Sequence, residues 1–278
     1  RVARELLVSQ QFSPHALSEL ASEVATGELH RGSDRKAQKF FAQALLEPNE
    51  NAVAQAAWAS ENKSLQLTSD ALTVDRGYEA RAITWAQNGR WKEAAYESQK
   101  WQLDQPFDLR AAMYGSYYAS LGAQDYEGAL SIADLGLSTH PTDPMLHNNA
   151  AFALANLGRT EDARFHLVHL PGSDDDDYPV FLATRGLIAF REGNEAAGRE
   201  SYRKAVEGLL KSSRRADAAA AALLWALEET RIGSVIAPET RGLGERLLSS
   251  SSPSPEAREL LKRLDDAKGA KKEPVEGP

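Results

Sequence analysis

The sequence predicts an all-α chain, a solenoid of stacked antiparallel helical hairpins, and three observations predict it. Glycines recur at a near-constant interval: Gly89, Gly122, Gly158 and Gly193 are 33, 36 and 35 residues apart. Each ends an amphipathic segment carrying a small residue seven positions earlier, at Ala82, Gly115, Ala151 and Gly186. A second small residue (Ala94, Ala129, Ala163, Gly198) follows where a returning helix must press close, and a break comes next at Pro106, Pro141 or Asp177 through Pro179. Two such helices cannot bury their apolar faces alone, and stacking successive pairs completes a continuous core.

Taken in order, residues 1–64 read as degenerate helical repeats. A first helix over 14–29 starts at Ser13–Pro14, and a second over 34–48 turns Ala37, Phe41 and Ala44 inward before Pro48 breaks it. Residues 50–62 begin another hairpin, but 63–75 are too short and too β-branched for a full partner helix, so an irregular connection is expected over 65–75. Four units fill 76–212, at 78–106, 111–141, 146–170 and 181–210. Asp143 before Pro144 is a helix cap followed by a first-turn proline, and each turn glycine is expected to supply a left-handed backbone. Residues 213–249 read as a capping hairpin, with helices at 214–231 and 237–250. Beyond it, 250–278 reads as a Ser/Pro linker, a short charged helix capped by Ser254 with Pro255 in its first turn, and a mobile tail from 267.

These units resemble the tetratricopeptide repeat family, whose period is about 34 residues. The resemblance rests on the stretch 89–94 (GRWKEA) with Pro106, on Tyr118 with Gly122, and on Gly186, Gly193, Tyr202 and Ala205. The second copy departs from it, because the stretch 123–128 (AQDYEG) lengthens the turn by two residues. So does the third, where Leu170–Pro171 ends the second helix early. The resemblance covers about half the chain and implies a right-handed superhelical solenoid.

Composition excludes several classes. The net charge is −8, against the basic surplus expected of a nucleic-acid binder. With no cysteine, the chain has no disulfides, thiolate nucleophiles or zinc ribbons. The longest apolar run, 216–227, is too short for a bilayer, so no membrane insertion is expected. The chain opens on Arg1 and not on methionine, which leaves room for a preceding targeting segment or catalytic domain. A cytoplasmic location is expected.

Several clusters invite a chemical reading. Asp174 to Asp177 form a run of carboxylates, but a metal needs ligands converging from several directions, and the run more simply favours a helix start. His166 and His169 lie three apart on a helix, with His140 and His147 nearby, and lack a third ligand for zinc. No phosphate-binding or nucleophile-elbow motif is present, and the glycine pair at 242–246 (GLGER) is a weak signal. Trp58, Trp85, Trp91, Trp101 and Trp225 read as core packing and not as a base-stacking platform. Lys211, Arg214 and Arg215 suit a helix C-terminus. No cofactor, metal or catalytic centre is expected, and the chain is expected not to be an enzyme.

The resemblance implies that first helices line a concave wall that holds peptides or helices. Carried over by position, that wall takes Glu79, Ile83 and Gln87, then Ala112, Met113, Ser116 and Ser120. Asn148, Asn149, Phe152 and Asn156 follow, and then Thr184, Leu187 and Arg191. Only Asn149 coincides with the basic and amide residues of the variant that clamps C-terminal carboxylates, so an acidic C-terminus is not the expected ligand. Asparagine amides can pair with a bound backbone, while Met113 and Phe152 offer apolar pockets. The expected partner-binding set is Met113, Ser116, Asn148, Asn149, Phe152, Asn156, Thr184, Leu187 and Arg191. The function implied is a protein–protein interaction scaffold holding a peptide, helix or partner subunit. The alternative is a regulatory or sensor domain of a larger enzyme.

Overall fold

The computed structural model describes residues 2–8, 12–63, 65, 74–172, 177–249 and 253–270. Among them every regular element is helical and no strand occurs. The chain forms two compact units, Arg1–Ala80 and Arg81–Pro278.

The first unit holds α1 (Val2–Val8), α2 (Pro14–His30), α3 (Asp34–Ala44) and α4 (Glu50–Lys63), with α2 packed against the other three. Ser13 Oγ accepts from the Ala16 amide at 3.2 Å, and Pro14 follows where its missing N–H costs nothing. Ala37, Phe41 and Ala44 have no exposed surface, because their spacing places them on one face of α3. Helix α1 has no counterpart in the sequence reading. It is one short run, too brief for periodicity to mark. Residues 66–73, most of the expected irregular connection, lie outside the described residues, as does residue 64.

Helix α5 (Tyr78–Gln87) leads into the second unit, followed by α6 (Trp91–Asp104), α7 (Leu109–Tyr117), α8 (Tyr126–Thr139) and α9 (Pro144–Asn156). Then come α10 (Thr160–Leu167), α11 (Tyr178–Arg191), α12 (Glu195–Lys211), α13 (Arg215–Arg231), α14 (Ala237–Leu248) and α15 (Pro255–Ala270). The hairpins α7/α8, α9/α10, α11/α12 and α13/α14 each pair internally. First helices stack, α7 on α9, α9 on α11 and α11 on α13, while each second helix also packs on the first helix of the next pair. That contact pattern is an all-α solenoid. Its close approaches use the small residues: a Cβ on Gly186 would stand 2.8 Å from Tyr202 Cδ2, and one on Gly198 2.5 Å from Phe190 Cδ2.

Gly89, Gly158 and Gly193 take φ of +72°, +78° and +80°, the left-handed conformation that a side chain resists. Gly122 does not. Helix α7 runs on into a π-helical turn, Tyr118–Gly122, and the left-handed residue is Gln124 at φ +57°. The two extra residues of this copy are thus absorbed as a π-turn. What requires glycine at 122 is Trp91, whose ring carbon Cδ2 would lie 2.2 Å from a Cβ there.

Helix α15 falls where the sequence places a charged helix, and it also packs inward: Ala257, Leu260 and Leu264 are buried in a core shared with α12, α13 and α14. Its Arg263 donates to the Leu121 and Gly122 carbonyls, groups that the π-turn leaves at its own C-terminal end. Residues 271–278, most of the expected mobile tail, lie outside the described residues.

Candidate functional site

Helices α7, α9, α11 and α13, with the first turn of α15, line a half-open cavity of about 360 Å³ in the second unit. Local caps aim its residues. Asp108 accepts from the Arg110 amide at 3.0 Å and starts α7, and Asp143 accepts from Leu146 at 2.8 Å and starts α9. From that start, Met145, Asn148, Asn149 and Phe152 fall on one face at helical spacing and line the cavity together. Tyr114, Tyr117 and Tyr118 line it from α7 and its π-turn, and Ala183, Thr184 and Leu224 from α11 and α13.

Of the expected partner-binding set, the structure brings Met113, Asn148, Asn149, Phe152 and Thr184 to this cavity. The others are spent on the fold. Ser116 is fully buried and donates to the Ala112 carbonyl at 2.7 Å. Leu187 belongs to the core. Asn156 accepts from Arg191 at 3.0 Å, and the same Arg191 nitrogen donates to Glu228 at 2.9 Å, linking α9, α11 and α13. Asn149 lines the cavity, but its amide donates to Ser116 Oγ at 2.9 Å and to the Met113 carbonyl at 3.2 Å. The expectation that it offers donors to a partner backbone is therefore corrected: the donors hold α9 to α7.

Asn148 is different. It is 5% exposed, and its side-chain oxygen is buried with no hydrogen-bond partner among the described residues. An unmet acceptor of this kind costs stability unless something supplies a donor. Arg214, Asp217 and Glu256 also line the cavity. Arg214 is held by Asp217 at 2.7 Å and by Asp177 at 2.6 Å. Burial pushes the Tyr117 hydroxyl well above its ordinary range, helped by the nearby charges of Glu256 and Asp217. Burial, with Tyr114 and Glu256, pushes Tyr118 up to about 12. Neither tyrosine loses its proton at neutral pH. The tyrosines and Glu256 are not in the partner-binding set expected from the sequence, where Tyr118 counts only as a repeat residue, although Tyr114, Tyr117 and Tyr118 recur at helical spacing and carried that signal.

A second cluster forms where α9 meets α10. His147 Nε2 donates to the Pro141 carbonyl at 3.0 Å, so its Nδ1 accepts from His166 Nδ1 at 2.9 Å. The His169 ring stacks on His147 at 4.1 Å, while His140 turns away to Thr139. Among the described residues, no three His, Cys, Asp or Glu side chains are arranged to hold a metal ion. Asp174, Asp175 and Asp176 lie outside the described residues; Asp177 is the N-cap of α11 and pairs with Arg214. Trp91 and Trp101 are buried, Trp225 donates to Glu229 at 2.9 Å, and Trp58 is partly exposed beside His30. Arg215 donates to the Leu247 carbonyl at 2.8 Å, at the C-terminal end of α14.

No helix among the described residues is long and apolar enough to cross a membrane. No family model matches the chain, and no curated protein matches it. A solved structure, "MamA RS-1 ArsTM double mutant", is 17% identical, with 70% of this chain and 96% of that chain covered and a TM-score of 0.40. A likeness that weak carries no argument, and function rests on this chain's own geometry.

Proposed function

We propose that the chain is a protein–protein interaction module that seats a partner's side chain or helix at the cavity between its first helices, without catalysing a reaction. One observation carries the reading: successive hairpins contribute one helix each to a single pocket walled by Met113, Phe152, Ala183 and Leu224. Ligand and anchor sites have this composition, an apolar wall with a few placed polar groups. Partner contact concentrates at such pockets, where truncating a central anchor typically costs about 2 kcal/mol.

A photo-crosslinking residue placed at Met113 in cells should capture a discrete partner, and the same residue at the exposed Glu200 should not. Phe152→Ala should then weaken binding of that partner by about 2 kcal/mol, with Glu200→Ala near neutral. Capture from position 200 and not from 113 would move the working surface elsewhere. The crosslinker at Met113 also distinguishes a scaffold from an enzyme: a captured small molecule in place of a protein overturns the reading.

A further inference from the structure

We infer that the cavity is a site for an organic cation, an ammonium or guanidinium group carried on an apolar stem. Four features point the same way. The apolar part of the wall includes both methionines of the chain, Met113 and Met145. Three tyrosines and Phe152 add rings whose faces attract cations. Among the polar groups, Asn148 presents a buried oxygen with no hydrogen-bond partner among the described residues, so the element missing at that atom is a donor. The charges are two carboxylates, Asp217 and Glu256, against the single guanidinium of Arg214. Arg214 is already held by Asp177 and Asp217, whereas Glu256 has no ion-pair partner among the described residues.

A carboxylate ligand fits poorly. It would bring acceptors to an acceptor and a negative charge toward Glu256. A purely apolar ligand would leave the Asn148 oxygen unmet. A cation with an apolar stem meets both needs, since its donors reach Asn148 while its stem lies against the methionines and rings. Two sources share this chemistry, a free small amine and a lysine or arginine side chain of a protein partner. The second rests on the interaction reading above; the first does not.

The two methionines make the test direct, because both Met113 and Met145 line the cavity and their methyl signals, assigned by substituting each in turn, report on it. Hexylammonium, hexanoate and a capped lysine peptide are titrated separately while the methionine methyl resonances are followed. Saturable shifts of both methyls are expected with hexylammonium, with hexanoate binding at least tenfold more weakly. Glu256→Gln should lower cation affinity about tenfold while strengthening hexanoate, whose negative charge it no longer opposes, and Asn148→Leu should weaken the cation as well, each checked for intact helicity by circular dichroism. Peptide binding tighter than hexylammonium assigns the partner side chain; the reverse order assigns a small amine. Equal binding of hexanoate, or no saturable shift with either cation up to millimolar concentration, overturns the inference on the wild-type protein alone. That failure leaves a protein captured from position 113 standing, so the two readings fail separately.

Discussion

The carboxylate of Glu229, without exposed surface, accepts from Arg199 Nε at 2.8 Å and from its Nη2 at 2.9 Å. The pair ties α12 to α13, and Trp225 adds a third hydrogen bond at 2.9 Å. Burial raises the Glu229 pKa, but the Arg199, Ser234 and Trp225 hydrogen bonds outweigh it and the net shift is downward. Arg199→Leu should cost about 3 kcal/mol, because it leaves a charge buried without its partner, while the double change with Glu229→Leu should cost less. Urea unfolding of the three variants measures this. A double variant as unstable as Arg199→Leu would show that the pair is no unit. The stabilisation is present above the ordinary glutamate value of 4.5 and is lost as pH falls through the lower folded value.

Two glycines of the same repeat position should fail for different reasons. Gly122→Ala places a Cβ against the buried Trp91 ring and should destabilise by about 1–3 kcal/mol through overpacking. Gly158→Ala meets nothing within 4 Å, but φ there is +78°, and a left-handed alanine costs about 1–2 kcal/mol. The discriminating variant is Trp91→Leu: it should relieve the cost of Gly122→Ala and leave that of Gly158→Ala unchanged. Unfolding free energies of the two double mutants decide it, and equal coupling at both sites would contradict the packing.

The paired histidines should make the fold sensitive to mild acid. Burial lowers the His147 pKa, and burial with the neighbouring His147 and His169 takes His166 down to about 4. Both rings are then neutral when folded, while the unfolded chain binds protons near 6.5. Between those values the unfolded state holds more protons, so stability is full above about 6.5 and declines as pH falls toward 4. This window lies above the one set by Glu229. Thermal unfolding across pH 7 to 4 checks it, and His166→Phe should flatten the slope; an unchanged slope would remove these rings as its source.

Much of the fold was legible because hairpin repetition is a local signal. Small residues at Ala82, Ala151 and Gly186, caps at Asp143 and Ser254, and glycines at 89, 158 and 193 each act within a few residues of their own turn. The site was less legible. The repeat resemblance, carried over by position, placed Met113, Asn148, Asn149, Phe152 and Thr184 toward one wall. Spacing alone does not say whether an amide on that wall is free. Asn149 is taken by Ser116 and Arg191 by Glu228, partners 33 and 37 residues away, and no local pattern encodes such distances.

The sequence by itself therefore determined that this chain is helical, that its helices come in pairs, and which side chains lie between them. It did so because backbone hydrogen bonding and the helical period are settled within one or two turns. Tertiary structure decided the rest. Packing chose a π-turn over a longer loop at 118–122, because Trp91 fills the space beside Gly122. It brought Glu256 of α15 to the cavity near Tyr117, and left the Asn148 oxygen without a donor among the described residues. Burial, charge balance and hydrogen-bond satisfaction are properties of the assembled neighbourhood, so they become fixed only when residues distant in the chain meet.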